Sequence, residues 1–292
     1  MFCSTVIPTI GRPTLSRAVC SVLDQAFTAD DFEVIVVNDS GRALPDMDWQ
    51  RSERVQVIDT NRHERSVARN TGAAIARGRY LHFLDDDDLL LPGALDAFWT
   101  LAQSNAAAWL YGCYQSVDNG GNLIHEFSPN VGGNIFALLV AGEAIPFQAS
   151  LLQTERFFAA GAFDPQITGV EDRDLGRRMA LCGTVAGTSA VVARIRVGQQ
   201  GSTTDWSTLA EGDRWGREKA LNERDAWSRL WASANSSYLH GRVSRAYFAS
   251  MVWNLRHRNV FTATSRLVLG ILFAGWHLSS TEYWHGLRSK IR

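Results

Sequence analysis

The stretch from Arg79 to Leu91, RYLHFLDDDDLLL, sets the terms for the whole chain, because an apolar run ends there in four consecutive carboxylates and then resumes. Tyr80, Leu81, Phe83 and Leu84 are aromatic-rich, too few for a helix, and preceded by a turn signal at Arg77-Gly78-Arg79, which predicts a short buried strand. Asp85 to Asp88 then stand at its carboxyl end. Neighbouring carboxylates repel, and water screens that repulsion poorly beside a buried strand, so a cation is the simplest counterweight. Oxygen-only ligands suit a hard divalent ion: Mg2+ or Mn2+ held by one or two carboxylates, with diphosphate oxygens completing the shell. The competing arrangement is a solvated acidic turn capping a helix that starts near Pro92, since Asp is common at helix N-termini.

The flanking sequence supplies a setting for that strand. Cys3 to Ile7 reads as a first strand closed by the breaker-rich loop Pro8 to Pro13, and Leu15, Ala18, Val19, Val22 and Leu23 follow at helical spacing. Phe32 to Val37 is nearly all apolar, as a parallel strand covered on both faces should be, and ends in Asn38-Asp39-Ser40-Gly41. Val55 to Ile58 gives a third strand. Glu64 to Ala76 gives a helix in which Ala68, Ala73 and Ala74 allow close approach to a sheet. This alternation predicts a doubly wound, mostly parallel α/β sheet flanked by helices, with ligands at the carboxyl ends of its strands, where Asp39 and Asp85 both fall. Further on, a helix is expected over Leu95 to Ser104, strands over Ala107 to Gln115 and Ile145 to Leu152, a turn at Asp118 to Asn122, a helix holding Phe157 and Phe158, and β-structure over Val185 to Val197. GVEDRDLGRRMALCG, residues 169 to 183, puts Glu171, Asp172 and Asp174 at a helix start.

Composition narrows the function classes. The chain has 292 residues, 46% hydrophobic, enough for one large domain or a domain with an appendage. A net charge of -1, with no lysine-rich tract and no RNA-binding aromatic signature, gives no support for a nucleic-acid partner, and none is expected. Cys3, Cys20, Cys113 and Cys182 are scattered, without a CxxC pair, and read as buried thiols. Phe2 to Ile7 is followed at once by Pro8 and lacks a signal-peptide pattern, so the expected location is cytoplasmic.

VIPTIGR at 6 to 12, VVNDSG at 36 to 41, RSVARNTG at 65 to 72, RGRYLHFLDDDD at 77 to 88, GAFDP at 161 to 165 and EDRDLGRRM at 171 to 179 together resemble the family 2 glycosyltransferases, inverting GT-A-type enzymes that use nucleotide-diphosphosugars. The resemblance covers roughly residues 2 to 204. It implies a GT-A-type catalytic domain over 1–204, with a nucleotide-sugar half over about 1–115 and an acceptor half over about 116–204, and a metal-dependent inverting transfer to an acceptor hydroxyl in glycan or polysaccharide biosynthesis. Carried over by position, Pro8, Thr9 and Arg12 would line the nucleotide pocket and Asp39 would accept a hydrogen bond from the base. A turn-forming aspartate is the other reading of Asp39. Arg69 would lie near the donor, supplying charge to the diphosphate or orienting Asp85. In the family's DxD element, Asp85 would contact ribose or metal and Asp87 would ligate the metal. Asp86 then belongs to the donor pocket, although a register one residue later would make Asp86 and Asp88 the pair. Asp172 of the ED element would be the catalytic base, with Glu171 positioning the acceptor or its loop. The sequence departs from the family where relatives carry a histidine: RIRVGQQGS places Arg196 there, either to clamp phosphate or to sit on a strand edge.

The competing functions are a sugar nucleotidyltransferase, which would want a glycine-rich basic loop where VIPTIGRPT has one glycine and one arginine, and a sugar-nucleotide-binding protein without transfer activity, against which the carboxylates at 85 to 88 and 171 to 172 argue. A dinucleotide-dependent dehydrogenase is weaker still, because no GxGxxG follows the first strand. Acceptor loops are expected within 115 to 145 and 199 to 215.

Residues 205–292 read as a helical, basic, tryptophan-rich extension, with Trp206, Trp215, Trp227, Trp231 and Trp253 over 206 to 258. From His240 onward eight Arg and Lys stand against Glu282 alone, a formal +7 on a chain of total -1. The apolar run Leu267 to Trp276 is ten residues, against the roughly 20 needed to span a bilayer. Being apolar all round, it calls for burial against the catalytic domain, a homodimer partner, or a membrane surface where the acceptor could be a glycan or lipid-linked.

Overall fold

A computed structural model describes residues 1–198 and 206–289; Gln199 to Thr204 of the expected loop, and Lys290 and Arg292 of the basic count, lie outside the described residues. The sheet is built around three parallel strands, β1 (Cys3–Thr9), buried except at half-buried Pro8, and the wholly buried β2 (Phe32–Asn38) and β4 (Tyr80–Phe83), with β3 (Val55–Asp59) at the outer edge. Antiparallel β8 (Ser150–Gln153) joins this half to a second, in which β6 (Trp109–Val117) runs parallel to the long β9 (Val185–Arg196). The strand order is β3-β2-β1-β4-β8-β6-β9-β5, with β5 (Leu89–Leu90) antiparallel to β9 and β7 (Leu123–Phe127) antiparallel to β6. Helices cover both faces. One core holds α1 (Leu15–Leu23) and α3 (Ala94–Ser104) with the residues of β1 and β2 that face them. The other holds α2 (Arg65–Ile75), α4 (Phe136–Val140), α5 (Thr154–Ala159, the expected helix with Phe157), α6 (Glu171–Cys182) and the C-terminal helices.

The expected helix over Glu64 to Ala76 is α2, with Glu64 as its N-cap accepting from the backbone N–H groups of Ser66 and Val67. Its approach to the sheet is set by Gly72, where a Cβ would lie 2.5 Å from Val6. That closeness fixes where Arg69, one turn earlier, points.

Several expectations need correction. The aspartates do not cap a helix: they turn directly into β5, and α3 starts only at Ala94, with Gly93 as its cap. β5 is too short to carry a periodic signal. The strand expected over Ile145 to Leu152 is confined to Ser150–Gln153, because Pro146 leads instead into a 3-10 turn at Phe147–Ala149. Asp118 to Asn122 is a hairpin turn, and the strand after it, β7, is exposed at all five positions, so no core-facing alternation marks it. Of the four cysteines only Cys3 and Cys113 are buried; Cys20 and Cys182 are half-buried, and all four are free thiols.

Beyond the sheet the chain is helical, in α7 (Trp206–Asn222), α8 (Ala226–Ser233), α9 (Ser237–Arg256), α10 (Val260–Ala274) and α11 (Thr281–Arg288). The apolar run is longer than its sequence signal. α10 begins at Val260, where the Asn259 side chain accepts from the Thr262 N–H, and a 3-10 turn carries the helical path on to Ser279. The resulting 20 residues are long and apolar enough to cross a membrane by length and composition. One face is nevertheless docked on protein: Ala263, Arg266, Gly270 and Phe273 are buried, and Arg266 forms an ion pair with Glu218 of α7 at 2.5 Å. The basic count of the tail is thus partly internal, since Arg242 and Arg266 are both buried.

Candidate functional site

The carboxyl ends of β1, β2 and β4 open into a cavity of about 540 Å3. Pro8, Thr9, Arg12, Asp39, Asp85, Asp86, Asp87 and Arg196 all line it, so eight side chains singled out from the sequence meet in one place. Glu171 and Asp172 line a smaller adjoining cavity of about 80 Å3 that shares Arg65, Asp85 and Gln148 with the first. Arg69 joins the two. Its Nη2 donates to Asp85 at 2.6 Å and its Nη1 to Glu171 at 2.9 Å, with the guanidinium 5.2 Å above the Phe163 ring. The ARN and GAF segments are physically one unit, because Asn70 and Phe163 exchange hydrogen bonds, side chain to backbone in both directions.

The four aspartates divide by partner. Asp86 points back into the β1 loop, accepting from Thr9 at 2.5 Å and from Arg12 at 2.9 Å. Asp85, Asp87 and Asp88 bring one oxygen each to within 4.8 Å of one another. Asp85 is held by Arg69 and by Gln148 Nε2 at 2.8 Å, Asp87 lies 3.3 Å from Arg12, and Asp88 accepts the backbone N–H of Arg196 at 2.7 Å. The charge balance differs across the group. Burial pushes the Asp85 carboxyl up, but the charge and hydrogen bond of Arg69 outweigh it and hold it below the usual carboxylate range. Burial and the Asp85 charge raise Asp87, and the same two causes raise Asp88 well above that range. A cation beside those two carboxylates would oppose the repulsion that raises them.

Three clustered carboxylate oxygens with too few guanidiniums to balance them, open on one side to a cavity, fit a hard divalent ion that keeps positions for other oxygen ligands. Asp88 was the part of this set that sequence reasoning placed only in an alternative register, paired with Asp86. Gln148, Arg65 and His63 were missed. Gln148 sits in a 3-10 turn with no motif signal, while His63, at a positive φ of 50°, belongs to a loop whose geometry no pattern announces. His82 anchors Gln148 from behind. Its ring lies fully buried between Thr5 Oγ1 at 3.2 Å and the Gln148 carbonyl at 3.0 Å.

Asp39 lines the cavity while serving its own loop: Oδ1 accepts from Thr60 and the Arg62 N–H, and Oδ2 accepts from the Glu64 N–H at 2.7 Å. Burial alone would raise its carboxyl, and these donors bring it below the ordinary value. Arg196 contributes a buried Nε that makes no hydrogen bond among the described residues, at the cavity wall. Among the described residues Asp172 accepts only the N–H of Arg173, at 2.7 Å, and burial together with Glu171 raises its carboxyl. Glu171 receives Arg65 and Arg69 on a single oxygen, and its other oxygen is buried with no hydrogen bond among the described residues.

Residues 4–155 match the family model described as Glycosyl transferase family 2. Poly(ribitol-phosphate) beta-N-acetylglucosaminyltransferase TarP of Staphylococcus aureus is 32% identical over 117 residues, 38% of this chain and 36% of that one. The chain spans between 28% and 46% of the length of the curated relatives it matches. Among solved structures, S. aureus TarS 1-349 in complex with UDP-GlcNAc superposes with a TM-score of 0.64 at 13% identity, covering 92% of this chain and 91% of that one. The mannosyltransferase PcManGT from Pyrobaculum calidifontis, in complex with GDP-Man and Mn2+, gives 0.54 at 15% identity, with 94% and 87% covered. Both likenesses are to the same GT-A-type sheet and flanking helices.

Proposed function

Because the chain belongs to glycosyl transferase family 2, we propose that it moves a sugar from a nucleotide-diphosphosugar to an acceptor hydroxyl, with inversion and with Mn2+ or Mg2+ at Asp85, Asp87 and Asp88. The observation that carries this reading is the Arg69 bridge, which ties a three-carboxylate cluster in a nucleotide-sized cavity to a second, separate acidic pair. The donor would lie in the larger cavity, its diphosphate toward the aspartates and Arg196 and its nucleoside toward Pro8, Thr9, Arg12 and Asp39. UDP-GlcNAc in TarS and GDP-Man with Mn2+ in PcManGT support a donor of this class. A bound divalent ion would supply positive charge against the departing diphosphate.

Asp172 lines the smaller cavity beyond Arg69, with one oxygen engaged, among the described residues, only by a backbone N–H, and the acceptor would enter there. It would take the acceptor proton as the hydroxyl attacks the anomeric carbon from the face opposite the diphosphate. Its raised affinity for protons suits a base. The acceptor would be a glycan or lipid-linked, in glycan or polysaccharide biosynthesis, and the exposed apolar face of α10 supports contact with a membrane surface.

The test is a panel of UDP-, GDP- and dTDP-sugars scored for thermal stabilisation with Mn2+ and then for release of the nucleoside diphosphate. Stabilisation with release supports a transferase. Tight binding of a sugar nucleotide without release, with every acceptor class supplied, would favour a binding protein instead.

A further inference from the structure

A second cavity, of about 370 Å3, opens on the other side of the first turn of α6, between that helix, α7 and α9. Five arginines line it, Arg173, Arg214, Arg217, Arg242 and Arg245, against one carboxylate, Asp213. Asp213 is already spent. Its Oδ1 accepts from Arg177 at 2.6 Å and its Oδ2 from Arg217 at 2.5 Å. The other acids nearby are peripheral: Glu211 pairs with Arg214 at 3.5 Å and is about half exposed, and Glu143 lies 3.7 Å from Arg242 and is 62% exposed.

Guanidinium N–H groups remain without acceptors here. Arg217 Nε, Arg242 Nε and Arg245 Nη1 are buried and make no hydrogen bond among the described residues, while Arg217 and Arg242 are themselves 4% and 7% exposed. A buried donor left unpaired is destabilising, and more so when it is charged. Crowding adds to that: burial, and then the guanidiniums of Arg177, Arg173 and Arg214, pull Arg217 down to about 10 in spite of Asp213. A chain that converges arginines from three helices on a cavity, and leaves their donors open, has built a site for a multivalent oxyanion. Phosphate fits it best, since its oxygens accept from several planar forks at once.

The position gives the ligand a role. Val170 and Arg173, which form one wall, flank Glu171 and Asp172 in the chain, so the cavity and the proposed base share a helix turn. We propose that this cavity binds a phosphate group of the acceptor, holding a phosphate-bearing chain so that its hydroxyl reaches Asp172. The assignment to the acceptor rests on the transferase reading above, whereas phosphate binding at the cavity does not.

The experiment titrates inorganic phosphate into wild type, Arg173→Gln, Arg245→Gln and, as the donor-cavity control, Arg12→Gln, by calorimetry at low chloride. Arg173 and Arg245 are chosen because neither side chain forms an ion pair among the described residues, and melting without phosphate checks folding. At least fivefold weaker binding in Arg173→Gln and Arg245→Gln, with the control unchanged, is expected. Unchanged binding in both variants, or loss only in Arg12→Gln, overturns the site. Two further probes separate the sources: a glycerol-phosphate oligomer, and vesicles carrying a polyprenyl diphosphate. Tighter binding of the oligomer than of free phosphate, lost in Arg245→Gln, marks a soluble polymer, and Arg245-dependent retention on the vesicles marks a lipid carrier. If neither exceeds inorganic phosphate, the acceptor role is wrong. Donor turnover, measured separately, reports on the transferase reading alone.

Discussion

At the level of single residues, the Asp85–Arg69–Glu171 chain makes the two acidic groups interdependent, and this separates the expected effects of their variants. Asp172→Asn removes a base and leaves the Arg69 bridge alone, so kcat should fall roughly 10²- to 10⁴-fold with donor affinity little changed. Steady-state rates with the true acceptor check this, and an enzyme within a few-fold of wild type would shift the role to Glu171. Glu171→Gln strips charge from buried Arg69, so it should weaken donor binding as well as turnover. Asp87→Ala should abolish metal-dependent donor binding, measured with Mn2+, while leaving melting unchanged or raised, because one member of a repelling set is gone. His82 gives a pH signature. Burial lowers its pKa from 6.5 to about 4, so between those values the unfolded chain binds a proton that the folded chain refuses. Stability should therefore fall as pH drops from 6.5 toward 4 and level off below, a loss of about 3 kcal/mol at roughly 1.4 kcal/mol per unit. Denaturant titrations of wild type and His82→Gln across this window should differ by that slope. These roles were unevenly legible in the sequence. Asp85, Asp87 and Asp172 stand at strand and helix ends that apolar patterning marks out, whereas Gln148 and His82 matter only through contacts between segments 66 residues apart.

Among elements, the parallel half of the sheet was readable because β1, β2 and β4 are almost wholly buried on both faces and are mostly apolar, broken only by residues such as Ser4, Glu33 and His82. β5 and β7 were not, one being two residues long and the other wholly exposed. The helical extension was legible as helices but not as a packing. Its tightest join is a reciprocal pair of glycines: a Cβ on Gly241 of α9 would lie 2.1 Å from the Tyr283 carbonyl oxygen, and one on Gly286 of α11 would lie 2.1 Å from that of Tyr238. The obstacles are backbone atoms, which cannot swing aside as a side chain can. Gly241→Ala should cost about 3 kcal/mol, the upper end for overpacking, and should release α11 first. Hydrogen exchange would show lost protection in α11 while β1 and β2 stay protected; uniform protection would mean the helices re-pack at little cost.

The whole molecule presents one feature its catalytic parts do not require. α10 buries Ala263, Arg266, Gly270 and Phe273 and turns outward Phe261, Val268, Ile271 and Leu272, with Phe261 87% exposed. Trp276, 78% exposed, and Trp284 follow along the chain with exposed side chains, and Arg256 and Arg258 just before α10 and Arg288 after it are exposed to solvent. Patches of this kind mark interaction sites rather than idle surface. The inner face argues against a spanning role for α10 in this fold, because Arg266 and Glu218 would have to separate or enter hydrocarbon together. An interfacial seat keeps that ion pair on the protein side, lowers the aromatics into the headgroup layer and leaves the arginines beside anionic lipid. Flotation with anionic vesicles should therefore carry the intact protein upward, more weakly at high salt as the arginine contribution is screened. Phe261→Ser with Trp276→Ser should abolish flotation without changing donor-induced stabilisation. A protein that stays at the bottom of the gradient at low salt, while sedimenting at twice its chain mass, would show that a second copy covers this surface and that the membrane reading is wrong.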